Sequence, residues 1–336
     1  MSGKPVFAVP SHSRSARLAG IARYQPVSLK RSIYRSVMQA AIFIGVDRFL
    51  CSRVENPVIN HQDFDFSSWL QRVEEKLNIS GLVASVFWPP QVERGRIYVH
   101  LFDSKNTPVG FAKISFADSD DASLANEAQR LKEFADSGLS SFRVPRVIDF
   151  QPGSPDQHAV LLVEPIPVNA KPLKAQFSSF PTQCIDEIHG QHADLGDPEL
   201  ESLPWWNHYL QLRDTLNPKF VDELGKTHTE QSPCYRIHGD FGIPNIVKEP
   251  AGELWVFDWE ECCDMGPILT DELSFFWSTH RPKSPSDRQI FLARFKEHFL
   301  SNDDPRHRIN VMLAVAFYST VNPQRADLII SNWDQF

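Results

Sequence analysis

The sequence predicts an α+β chain in two parts, a small one built on an antiparallel sheet and a larger one that is mainly helical. Two observations carry this. Between 82 and 116, three stretches rich in Val, Ile, Phe and Tyr (82–88, 96–102 and 109–116) follow one another across polar turns. From Pro181 onward, apolar residues recur at helical spacing in one segment after another, with a strand pattern only around 234–260.

Bulk properties narrow the function classes. The chain has 336 residues, enough for one large domain or two lobes with cores of their own. Hydrophobic residues make up 42% and charged residues 23%, the balance of an ordinary soluble protein. A net charge of −8 argues against a dedicated nucleic-acid binder. The charge is uneven. Residues 1–55 hold nine Lys and Arg against Asp47 and Glu55, a balance of +7, which leaves −15 for the rest. An acidic body suits a cationic or polyhydroxylated ligand. The five cysteines (Cys51, Cys184, Cys234, Cys262, Cys263) form no C-x-x-C pair and are odd in number. They read as reduced thiols in a cytoplasmic protein. The longest apolar run, 37–46, is too short to span a membrane.

Residues 1–62 read as a basic N-terminal extension. Positions 1–16 look like a loose tail, and 27–49 are helical, with Lys30, Arg31 and Arg35 ahead of an apolar stretch. The expectation is an added helix packed on the next part with its basic face in water; weak contact with a membrane surface, or with an acidic partner, is the alternative. The first lobe is expected over 63–165. Its helix at 65–77 places Trp69, Leu70, Val73 and Leu77 on one side and closes at Gly81. Lys113 stands inside an apolar strand, where a charge is costly unless paired. Glu127 follows fourteen positions later in a helical pattern. Strand-like pieces at 144–149 and 158–163 lead to Glu164-Pro165-Ile166-Pro167.

The second lobe is expected over 166–336. Trp205-Trp206 read as core. The chemistry concentrates in Ile237-His238-Gly239-Asp240-Phe241-Gly242-Ile243-Pro244-Asn245, followed after a turn by Val256-Phe257-Asp258-Trp259-Glu260. Two β-rich pieces thus deliver Asp240, Asn245 and Asp258 at their ends. This order suits phosphoryl transfer: one carboxylate orients a hydroxyl and accepts its proton, while an amide oxygen and a second carboxylate hold Mg²⁺ against nucleotide phosphates.

The pattern resembles the aminoglycoside phosphotransferase and choline kinase family, whose members carry His-Gly-Asp, four residues, Asn, and then Asp-Trp-Glu. Here these are His238-Gly239-Asp240 with Asn245, and Asp258-Trp259-Glu260. Ile188-His189-Gly190-Gln191 is a decoy without the Asp. The resemblance covers 80–280 well and 1–60 not at all. It implies a two-lobed, protein-kinase-like fold and transfer of phosphate from ATP, with Mg²⁺, to a hydroxyl of a small molecule that is aminoglycoside-like, a sugar or another metabolite. On this basis Asp240 is the base and His238 braces its loop. Asn245 and Asp258 hold the metal, Lys113 grips phosphate and Glu127 holds Lys113. Adenine meets the backbone of Glu164 and Ile166, and Asp271 braces the loop and caps the helix that follows. The turn at 89–95 has one glycine, Gly95, unlike a protein-kinase phosphate loop; Arg94 or Arg96 is a candidate to offset phosphate charge. Glu260, Glu261 and Asp264 fall on the implied acceptor side. The Asp-Phe-Gly and Ala-Pro-Glu signatures of protein kinases are absent. The alternative is a non-catalytic, kinase-like nucleotide sensor or interaction protein. Neither acceptor identity nor oligomeric state is legible.

Overall fold

The computed structural model describes residues 7–10, 13–23, 29–47, 64–88, 95–154, 157–174, 176–191, 199–227, 233–282 and 284–336. The chain divides into two compact units, 1–132 with 145–168, and 133–144 with 169–336. The second unit therefore claims a segment, 133–144, that lies inside the 63–165 lobe expected from the sequence.

In chain order the first unit holds β1 (Phe7–Ala8), α1 (Arg14–Arg23), α2 (Leu29–Ile44), α3 (Phe66–Leu77), β2 (Val83–Phe87), β3 (Arg96–Phe102), β4 (Pro108–Ser115), most of α4 (Asp118–Asp136), β5 (Val147–Gln151) and β6 (Val160–Val163). The strands form one antiparallel sheet in the order β1-β2-β3-β4-β6-β5. Alternation along β3 turns Ile97, Val99 and Leu101 to one face, where they join Ala112, Ile114 and Leu162 beneath Trp69 and Val73 of α3. The Asp65 carboxylate caps α3 by accepting from the N–H groups of Ser67 and Ser68. Asn78, in the left-handed region, ends the helix, not Gly81 as its sequence suggests. The short polar side chain of Asn tolerates that conformation.

Part of the expected tail is structured. Phe7 and Ala8 pair with Phe87 and Val86 as an edge strand. Phe7 and Val9 also pack on Ile21, Met38 and Ile42, which gives the strand an apolar reason to stay. Arg17 pairs with the buried Asp47 at 3.0 Å, and Arg23 Nη1 donates to the carbonyl of Ile166 at 3.2 Å. These two basic side chains are therefore committed within the unit and not turned to water. Ile33, Val37 and Ile44 of α2 are exposed. Among the described residues no helix is long and apolar enough to cross a membrane.

The second unit holds β7 (Lys171–Pro172), α5 (Thr182–Gly190), α6 (Pro204–Leu212), α7 (Pro218–Thr227), β8 (Cys234–Ile237), β9 (Ile246–Lys248), β10 (Leu254–Val256), β11 (Cys263–Pro267), α8 (Thr270–His280), α9 (Pro285–Phe299), α10 (Pro305–Val321) and α11 (Pro323–Ile330). Helices α9, α10 and α11 each open on Pro, whose missing N–H is unneeded in a first turn. Ser284 and Asp304 cap two of them. Helix α10 is the central element. Every residue from Val311 to Ser319 is buried, so it is apolar all round and not striped. Trp205, Trp206, Tyr209 and Phe220 belong to the same core. At about 1.5–3 kcal/mol for each buried large side chain, this core is the main stabilising term of the unit. Two small sheets, β10-β9-β7 and β11-β8, carry the loops described next.

Candidate active site

Strand β8 feeds a loop that the backbone fixes from below. The buried Asp271 carboxylate accepts from the N–H of His238 at 2.8 Å and of Gly239 at 2.9 Å. Burial pushes Asp271 up to about 7 against these two hydrogen bonds, and the nearby Asp240 charge adds to the rise. Its expected bracing role is matched by this geometry, but it makes no side-chain cap for α8. Leu269 stands at that N-cap in a left-handed conformation. Gly239 is obligatory by sterics: its φ is +83°, and a Cβ would lie 2.2 Å from the Glu261 carbonyl oxygen. The Tyr318 hydroxyl donates to the Gly239 carbonyl at 3.2 Å.

His238 is fully buried and joins the two motifs. Its Nδ1 accepts from the Asp240 N–H at 3.3 Å, which assigns the remaining ring proton to Nε2. Nε2 then donates to the Phe257 carbonyl at 3.1 Å. The Phe257 N–H in turn donates to the Asn245 carbonyl at 3.1 Å. Both sides of Phe257 are thereby tied to the loop, and Asp258 leaves it at φ +70°, uncommon for a residue other than glycine. Trp259 anchors the next turn. It stacks beside His238, Phe134 and Phe142 and donates Nε1–H to the Val256 carbonyl.

The Asp240 carboxylate is held at both oxygens. Oδ2 accepts from Asn245 Nδ2 at 3.2 Å, and the same Nδ2 donates to the Asp240 carbonyl at 2.9 Å. In this orientation the Asn245 amide spends its nitrogen on Asp240. Oδ1 of Asp240 accepts from Ser274 Oγ at 3.2 Å and from Arg325 Nη1 at 2.7 Å. Burial is the largest influence on Arg325 and opposes its charge, but Asp240 and Tyr318 together outweigh it, so the guanidinium is held above its ordinary value. Ser274, Tyr318 and Arg325 belong to no motif. Arg325 is 85 positions from Asp240, and nothing in the pattern of α11 marks it.

The first unit supplies a second polar centre. Lys113 lies on an interior strand, paired with Tyr98 and Leu161, and is buried. Its Nζ donates to both Glu127 oxygens, at 3.0 and 2.7 Å. Seven residues earlier on the same face of α4, Asp120 receives a two-pronged bond from Arg96, each contact 2.6 Å. Arg96 is thus spent on Asp120 and is not a phosphate-facing cation; Arg94 lies outside the described residues. Glu164 donates its N–H to the Arg146 carbonyl, and its carboxylate pairs with Arg146. Among the described residues no hydrogen bond engages the Glu164 carbonyl or the Ile166 N–H. Of the acidic residues on the expected acceptor side, Asp264 serves Arg236 of β8, a buried cation that also pairs with Glu133. Glu260 is itself buried.

No family model and no curated protein matches the chain. Solved structures do. The choline kinase LicA from Streptococcus pneumoniae aligns over 80% of this chain and 100% of its own, at 12% identity and a TM-score of 0.50. The chain has the fold of that kinase. A thermostable aminoglycoside phosphotransferase, APH(4)-Ia, with ADP and hygromycin B covers 79% of this chain and 98% of its own, at 17% identity and 0.48. The kinase-like fold agrees with the two-part α+β architecture that the sequence predicts.

Proposed function

We propose that the chain is a small-molecule kinase that transfers the outer phosphate of ATP to a hydroxyl group. The observation that supports this reading above all is the tie made by His238. One imidazole bonds the backbone of Asp240 and the residue before Asp258, so the proton-accepting and metal-holding groups share one rigid frame. Asp240 orients the acceptor hydroxyl and receives its proton as the new O–P bond forms. Asn245 and Asp258 offer only oxygen ligands, the donor type that Mg²⁺ takes. Bound there, Mg²⁺ would neutralise charge on the nucleotide phosphates. In the first unit, Lys113, fixed by Glu127, is the phosphate-gripping cation. Glu164 and Ile166 offer a carbonyl and an N–H for adenine.

ADP release measured with a panel of hydroxylated metabolites tests the reading. Turnover with at least one acceptor, lost in Asp240→Asn, is expected; nucleotide binding without turnover on any acceptor would support a nucleotide sensor instead. One observation favours that second reading. Arg325 holds Oδ1 of Asp240, the carboxylate that would have to accept the hydroxyl proton.

A further inference from the structure

We propose that Arg325 selects the acceptor, and that the acceptor carries an anionic group, a carboxylate or a phosphate, close to the hydroxyl to be phosphorylated. The inference rests on the kinase reading above and names the substrate class of that site.

Any hydroxyl that gives its proton to Asp240 must approach within hydrogen-bonding distance of that carboxylate. Arg325 Nη1 is already 2.7 Å from the same group. The acceptor is therefore bound beside a guanidinium whatever its identity. Three further observations set what that guanidinium favours. It is partly buried, with about 23% of its side chain exposed, so its charge is only partly screened by water. The recess that it borders, about 10 Å³ and so no larger than one water, is lined by Leu273, Trp277, Val315, Tyr318, Ala326 and Ile329, none of them acidic. Of the acidic side chains around the loop, Asp271 is engaged by the His238 and Gly239 N–H groups and Asp264 is bound to Arg236. An ammonium in this place would meet Arg325, while the carboxylates beside it are already engaged, Asp240 by Arg325 and Asp271 by two backbone N–H groups. A carboxylate or phosphate would instead share the planar fork of N–H donors, of which Asp240 engages Nη1 and Tyr318 takes a further hydrogen bond. By drawing the guanidinium toward itself, the acceptor anion would release Asp240 Oδ1 for the hydroxyl proton.

The test uses two matched series on the full chain: D-gluconate, D-glucose and D-glucosamine, and D-glycerate, glycerol and serinol. Each series keeps a similar carbon skeleton and runs from anion to neutral to cation. Binding is read without turnover, as the thermal shift and the isothermal titration of wild type, Arg325→Gln and Arg325→Lys. The anionic member of at least one series is expected to bind about tenfold tighter than its neutral and cationic partners, in keeping with the attraction of one partly screened charge pair. Arg325→Gln should erase that preference, and Arg325→Lys should keep part of it. Equal or tighter binding of the neutral or cationic members would overturn the proposal, as would no binding of either anion at 10 mM (a stated limit of roughly the weakest affinity of interest). A residue that only positions Asp240 would lower turnover of all members by one factor and leave the preference intact; that result also overturns it. Should Arg325→Gln fail to fold, the wild-type ranking and Arg325→Lys decide alone. Anion preference without ADP release would sink the kinase reading and leave the binding assignment standing.

Discussion

His238 donates its Nε2–H to the carbonyl of Phe257 at 3.1 Å, one residue ahead of Asp258. A buried ring thus does for two loops what a strand pair does for two strands, and it fixes them by a side chain whose two nitrogens play opposite parts. His238→Ala should cost about 2–4 kcal/mol, since it takes the ring from a partly buried N–H and a partly buried carbonyl and opens a cavity beside Trp259. Urea denaturation measures the loss. A destabilisation under 1 kcal/mol would mean that the backbone holds the two loops without the ring.

Gly239→Ala should be damaging out of proportion to one methyl group. The added Cβ would lie 2.2 Å from a backbone oxygen at a residue with φ +83°. The loop must shift, at a cost of roughly 1–3 kcal/mol in strain. Phosphotransfer should fall together with the melting temperature, and nucleotide affinity should change less.

Asp240→Asn should lower turnover by about 10²–10⁴-fold, the usual size of a general-base contribution. It should also weaken the fold, because Arg325 loses its carboxylate partner. Combining it with Arg325→Gln should restore part of the stability and none of the turnover. A double-mutant cycle in stability reads the pair, and ADP release reads the base.

Lys113→Met should take from the buried Glu127 its lysine partner and destabilise by about 3–5 kcal/mol. Lys113→Met with Glu127→Gln should be markedly more stable than Lys113→Met alone. Both variants should bind nucleotide weakly if Lys113 grips phosphate. Unchanged nucleotide affinity, measured by titration calorimetry, would remove that role and leave a structural pair.

Asp271 makes stability depend on pH in a direction opposite to that of a surface carboxylate. Burial raises it to about 7, above its value in the unfolded chain. Between about pH 4 and 7 the native state therefore holds the extra proton, and the contribution of this group to stability falls as pH rises through that window. Asp271→Asn removes the titration but gives one of the two backbone N–H groups an amide NH₂ to face, at about 1–3 kcal/mol. The variant should be less stable than wild type at pH 5, and the gap should narrow toward pH 8. A gap that widens with pH would mean that the two N–H bonds outweigh burial.

What the sequence alone determined is local. The motif His238-Gly239-Asp240 with Asn245 is eight positions of contiguous loop, and the spacing to Asp258-Trp259-Glu260 is one short hairpin. Lys113 was conspicuous because a charge inside an apolar strand needs a partner, and the helical pattern supplied Glu127. Strands at 83–115 and helices from Pro285 on were legible because apolar periodicity is set by which side chains face a core. Tertiary structure decided what no spacing records. It turned Arg96 onto Asp120 and Asp264 onto Arg236, so that two charges read as ligand-facing are consumed within the fold. It gave Phe7 a strand partner in Phe87. Above all, it set Arg325 against Asp240 across 85 residues. A salt bridge depends on where two backbones pass one another, and the packing of α10 and α11 fixes that, while the residues beside Arg325 in the sequence carry no trace of it.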